Sequence, residues 1–213
     1  MKRYLVKLYK IYFKCMIHYR KYKYKRRLIN KNPTILSSNC LGGVIYNSLG
    51  LKFLSPTINL YMLPKDFIKF FSNIKFYISH DLVLIEQKQY SFPVVLINDI
   101  TLYCVHYNTF EEVVDCWQRR KERIQWNNMY LIMAERDGCS YEELLEFDKL
   151  PYKNKVVFVH KPMPEIKSAV YIKDIEMKEK NGHKVKVLTD WKGKYSTKRY
   201  IDDFDYVNFL NKK

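Results

Sequence analysis

No carboxylate occurs in the first 65 residues of this 213-residue chain; the first is Asp66. Fourteen of the 38 Lys and Arg lie in that stretch, so the other 24 bases stand against 22 acids. The formal charge of +16 is therefore a property of one end. A nucleic-acid-binding domain more often spreads its bases over a folded face, and this distribution argues against nucleic acid as a partner. Paired cysteines are missing as well. Cys15, Cys40, Cys104, Cys116 and Cys139 are odd in number, widely spaced and without a CxxC. They suggest neither a zinc ribbon nor a disulfide framework, and they fit a reducing cytoplasm. No apolar run approaches the 18 or so residues that would span a bilayer, and no apolar leader ends in a small-residue cleavage site. P-loop, GxGxxG and HExxH spacings are all absent, so no metal is assigned.

What is present divides at Asn30–Pro33, a helix-breaking linker. Residues 1–30 read as a basic amphipathic arm and residues 31–213 as a single domain with ample apolar content (47%) for a core. Leu5, Leu8, Tyr9, Tyr12, Phe13, Met16 and Ile17 recur at helical spacing, with Arg3, Lys7, Lys10, Lys14 and Lys21 largely elsewhere. A basic helix with this aromatic content suits an anionic membrane surface, contacted through residues 1–27. The same apolar stripe packing on its own domain is the alternative.

Beyond the linker, short strands alternate with helices. Strands are expected at 34–38, 82–85, 94–97, 101–106, 129–133 and 156–160, with edge strands at 170–172 and 185–188 around an Asn181-Gly182 turn. Helices are expected at 42–49 (closed by Gly50), 64–78, 109–124, 140–147 and 203–210; Thr109 with Glu112 and Ser140 with Glu143 carry the capping-box spacing. This alternation predicts an α/β fold, a mainly parallel sheet with helices on both faces in a Rossmann-like, three-layer arrangement.

Ligands of open α/β sheets bind beyond the carboxyl ends of the strands. Those ends deliver Asn39, Cys40, Gly42 and Gly43; His106 and Asn108; Glu135, Arg136 and Asp137; and His160 and Lys161. Cys40 precedes a glycine pair at a helix start, where amides and the helix dipole are expected to lower a thiol pKa. His106 would be its base, Asp137 or Asn108 the group that orients the ring, and Asn39 with the Gly42–Gly43 amides the oxyanion donors. Glu135, Arg136, His160 and Lys161 would complete a substrate rim. Arg119, Arg120 and Arg123 on one helix would anchor a pyrophosphate or acidic sugar, unless they form a solvated face paired with Asp115 and Glu122.

The stretches SNCLGGVIYNSLG (38–50), FLSPTINL (53–60), DFIKF (66–70), HYNTFEE (106–112), WQRRKERI (117–124), ERDGC (135–139), FDKLPY (147–152) and VFVHKP (157–162) resemble a bacterial family known as domain of unknown function 1919. Its members are often labelled exopolysaccharide biosynthesis proteins. The resemblance implies an α/β fold and a place in capsule or exopolysaccharide synthesis, but no mechanism. A fainter likeness, to papain-like thiol proteins that pair an early Cys with a later His, favours Cys40 and His106. The resulting expectation is group transfer or removal on a sugar or lipid-linked oligosaccharide intermediate, by a peripheral protein of the inner membrane face. Two alternatives stand beside it: a nucleotide-sugar-dependent glycosyltransferase, and a non-enzymatic, membrane-docked assembly or binding protein. No cofactor is firmly implied; a nucleotide sugar or an acyl donor would serve as co-substrate.

Overall fold

The computed structural model describes residues 2–175 and 187–212. Its elements run α1 (Lys2–Arg27), β1 (Thr34–Ser37), α2 (Leu41–Leu49), α3 (Pro64–Ser72), α4 (Ile74–Ile78), β2 (Leu82–Leu84), β3 (Val94–Ile97), β4 (Ile100–Tyr103), α5 (Phe110–Lys121), β5 (Met129–Ala134), α6 (Tyr141–Lys149), β6 (Lys155–Val159), β7 (Ala169–Tyr171), a 3-10 turn (Tyr200–Asp203) and α7 (Tyr206–Asn211). The fold is mixed α/β. Four strands form a parallel sheet in the order β1-β5-β6-β7, and three form a separate antiparallel sheet, β2-β3-β4.

That second sheet corrects the expected single, mainly parallel one. The run 82–106 has short connections with no helix between its strands, and only antiparallel neighbours can be joined so closely. Asn98, at φ 54°, turns β3 straight into β4, pairing Ile97 with Ile100. β4 also stops at Tyr103, so His106 lies past the strand, inside a turn in which the Tyr107 amide donates to the Cys104 carbonyl. At the other edge, β7 pairs in parallel with β6. The expected Asn181-Gly182 turn and the first half of the 185–188 strand lie outside the described residues; Val187 and Leu188 lead into a turn in which the Asp190 amide donates to the Val187 carbonyl, not a strand.

Period-two alternation places two cores on opposite faces of the parallel sheet. Ile35, Tyr130, Ile132, Ala134, Val156 and Phe158 pack with α2, α7 and Leu28. Leu36, Leu131, Met133, Val157 and Val159 pack with α3, α4, α5, α6 and the antiparallel sheet. Local chemistry fixes the helix ends. Ser140 and Glu143 close a full capping box on α6. Thr109 caps α5 by accepting the Glu112 amide, while the Glu112 carboxylate reaches back to the Asn108 amide instead. Gly50, at φ 63°, ends α2 in the left-handed conformation that costs glycine least. The expected 64–78 helix is two helices, broken at Asn73 (φ −147°, ψ 58°).

α1 lies along the domain with one face inward. Tyr9, Phe13, Ile17, Arg20 and Tyr24 follow one another at three- and four-residue steps. The Phe13 ring meets Trp191 edge-on at 4.9 Å and Tyr24 meets Tyr206 at 5.1 Å. Arg20 bonds Asp202 at 2.8 Å and Thr197 at 2.9 Å, and Arg27 pairs with Asp205. The apolar stripe read as continuous is thus split between two faces. Leu8 and Tyr12 point out with Tyr4, Ile11, Tyr19 and Tyr22, each more than half exposed, and with exposed Cys15. Beside that outward row runs a second one at helical spacing: Lys7, Lys10, Lys14, Lys21 and Lys25.

A cavity joining Cys40 to His106

β1 hands the chain to Ser38 and Asn39, and the Asn39 side-chain oxygen accepts the Leu41 amide at 3.0 Å. Asn39 therefore caps the turn into α2 and leaves Cys40 at its N-cap. The loop 57–62 returns past this corner. Thr57 Oγ1 accepts the Ser37 amide, the Ser38 carbonyl accepts the Met62 amide, and Tyr61 bridges to Tyr103. The same loop carries the antiparallel sheet's end alongside: Tyr107 donates its hydroxyl to the Ile58 carbonyl at 2.8 Å, and the His106 amide reaches the Asn59 carbonyl at 3.4 Å. A cavity of about 530 Å³ results, with Cys40 and Gly43 on one wall, Asn59 and His106 on another, and Arg20, Lys21 and Tyr24 of α1 closing it. Arg199, Asp202 and Tyr206 supply the remaining polar wall.

Two local readings are corrected by this geometry. Burial pushes the Cys40 thiol above its ordinary pKa; Arg136 and a backbone amide pull in the other direction and do not prevail. The expected depression fails because the helix start is desolvated, and desolvation disfavours the thiolate. The Gly42 position serves packing: a Cβ there would sit 3.1 Å from the Ser37 Cβ, so the glycine lets α2 close onto β1. Gly43 is the glycine that borders the cavity.

The remaining candidates separate. Glu135, at the end of β5, is buried, and one of its oxygens accepts both the His160 amide (3.1 Å) and His160 Nδ1 (2.7 Å). That pair ties the ends of β5 and β6. Arg136 bonds Asp137 at 2.8 Å, and Asp137 sits at φ 57° leading into Gly138. Among the described residues neither Asp137 nor Asn108 hydrogen-bonds the His106 ring, and Lys161 is exposed on the rim. The arginine cluster does not form one clamp. Arg119 pairs with Asp115 across the outer face of α5 at 2.6 Å. Arg120 points inward, bonding Tyr107 Oη and the Ile58 carbonyl and stacking over Phe53 at 5.5 Å. It braces the wall on which His106 rides. Arg123 lies past the end of α5, in a turn, its carbonyl accepting from the Gln125 side chain.

Sequence reading missed the contribution of α1 and of residues 191–206. Asp202, Asp203 and Asp205, which superficially resemble a metal motif, are engaged with Arg20, Lys192 and Arg27. The complementarity between an acid-free basic helix and this acidic triplet was the available signal. Among the described residues no helix is long and apolar enough to cross a membrane.

A parallel sheet covered on both faces, with a thiol and an imidazole converging on a cavity at one strand end, defines an α/β protein with a candidate thiol site. Residues 11–211 match the family described as Domain of unknown function (DUF1919), and the chain belongs to it. It is also 38% identical over 187 residues to an uncharacterized protein of Haemophilus influenzae, with 88% of each chain covered.

Proposed function

We propose that the protein transfers or removes an acyl-type group on a sugar intermediate of exopolysaccharide or capsule synthesis, with Cys40 as nucleophile and His106 as its base. The observation that carries this reading is the shared cavity, where residues 66 positions apart line one space with three cations, Arg20, Lys21 and Arg199, on its walls. A thiol held protonated by burial needs a neighbouring base at the moment of attack, and an imidazole at the cavity wall can take that proton. The sulfur would then bond to the acyl carbon while the Gly43 amide at the cavity wall holds the oxyanion; collapse would break the bond to the donor oxygen, which takes the proton back from the imidazolium, and leave a thioester for an acceptor hydroxyl or water to cleave. The cations suit an acidic or phosphorylated sugar, and ligand placement beyond parallel strand ends is the Rossmann-like feature of the site. The surface-polysaccharide context rests on the resemblance drawn from the sequence. A peripheral position on the inner membrane face is supported by the outward aromatic row of α1 and the lysine row that runs beside it.

The test is complementation of a deletion strain, with analysis of its surface polysaccharide. Wild type restores the native composition, and Cys40→Ala and His106→Ala do not, although both fold. Full restoration by Cys40→Ala sinks the thiol mechanism. It would favour a nucleotide-sugar-dependent transferase, which the cavity's cations also suit; a nucleotide sugar would then raise the melting temperature.

A further inference from the structure

A second cavity, about 670 Å³, opens between α1 and the segment 190–196. Its walls are of two kinds. Tyr9, Phe13 and Trp191 supply aromatic surface, while Lys10 and Lys14 come from α1 and Lys194 from the facing segment. Its one carboxylate, Asp190, accepts the Val187 amide at 3.0 Å. The aromatic lining is held in place by its own contacts: Phe13 against Trp191, Tyr195 edge-on to Tyr9 at 5.2 Å, and Arg199 over the Trp191 ring at 4.7 Å. Trp191 also lines the Cys40 cavity, so the two spaces meet at one side chain.

We propose that this cavity binds the phosphate-bearing end of a membrane lipid, its lysines taking the phosphate and its aromatic walls the first carbons of the chain. This deepens the reading above, because a lipid-linked substrate seated here would present its polar end toward Cys40 across Trp191. Two features select a lipid over a soluble phosphate. A phosphate alone leaves an aromatic-walled volume of this size mostly unfilled, whereas an amphiphile matches both kinds of wall. The outward row of α1, with Tyr4, Leu8, Ile11 and Tyr12 exposed, continues on the same helix turns that carry Lys10 and Phe13. That row lies on the opposite side of α1 from Phe13, so a bilayer engaging it would sit about one helix diameter, roughly 10 Å, from the cavity.

Quenching of tryptophan fluorescence by vesicles with brominated acyl chains tests this on the full chain. Vesicles of phosphatidylcholine containing phosphatidic acid should quench the wild type, and Trp191→Phe should lose most of that quenching. Lys194→Glu, which lies off α1, should require about tenfold more lipid and the double variant Lys10→Glu/Lys14→Glu about a hundredfold, at roughly 1.5 kcal/mol for each charged hydrogen bond to phosphate lost. Lys7→Glu/Lys23→Glu, equal in charge change but outside the cavity, should shift binding far less. Equal loss in that control, unchanged quenching in Trp191→Phe, or effective competition by inorganic phosphate alone would each overturn the lipid site. Cys40→Ala should bind lipid as wild type does, so failure of the thiol mechanism and failure of the lipid site are read separately.

Discussion

Cys40 shows how burial and a helix start compete over one proton. The dipole and first-turn amides favour an anion, but the site is desolvated and the thiol rises above its ordinary value. Alkylation of the ligand-free protein should therefore be slow at Cys40 near neutral pH and climb only above the free-thiol range of about 8.5. Exposed Cys15 should react first; Cys104 and Cys139, both pushed up to about 12 by burial, should lag. Arg136 is a cation whose charge opposes the shift, so Arg136→Ala should move the Cys40 profile further alkaline. Peptide-resolved mass spectrometry of the alkylated protein reads all of these rates. A Cys40 profile already complete below pH 7 would contradict the burial argument. Arg120 carries the complementary lesson. Its charge and its neighbours in sequence suggest a ligand anchor, yet its hydrogen bonds to Tyr107 and Ile58 make it a brace for the segment bearing His106.

Among the elements, α1 departs most from its sequence reading. Its residues state a helix plainly, and nothing in them states which of two apolar rows turns inward. Tertiary partners decide that: Trp191, Tyr206, Asp202 and Asp205 stand opposite Phe13, Tyr24, Arg20 and Arg27. Asp205 has two duties there, capping α7 through the Asn208 amide and pairing with Arg27. Partial burial works against its ionisation, but these partners outweigh burial and hold the carboxyl below the usual range. A lowered folded pKa means that its stabilisation is present above the unfolded value of ~3.9 and is lost as pH falls through the folded one. Asp205→Asn keeps an equally good cap and removes only the charge. Urea denaturation should show wild type ahead by a few tenths to about 1 kcal/mol at pH 7, as for a half-exposed pair, with the gap closing as the pH falls through the lowered folded pKa. A gap that persists there would mean that the ion pair contributes nothing.

For the whole molecule, α1 matters because it closes both cavities. Removing residues 1–27 strips Tyr9, Phe13, Ile17, Arg20, Lys21 and Tyr24 from their walls and leaves Tyr206 without its ring partner. The truncated chain should unfold at lower urea, by a loss on the order of 2 kcal/mol or more, and lose lipid binding at the same time. Unchanged stability would reduce α1 to an appended arm.

Much of this architecture was written locally. Strand alternation in 129–134 and 155–159, the Ser140 and Thr109 caps and the Gly50 stop are decided by side chains a few residues apart, and physics with a reach of one turn or one pleat suffices to read them. The same reach identified Cys40 at a helix start. What lay beyond it was pairing over distance: that residues 82–103 form their own antiparallel sheet, that the 57–62 loop carries His106 to the cavity wall, and that Arg20 meets Asp202 across 182 positions. Such contacts depend on loop closure and on which apolar faces find cover. The chain by itself therefore determined the elements and their charge asymmetry. Only the packed structure decided which wall each side chain faces, because a cavity is a property of what several elements leave unfilled.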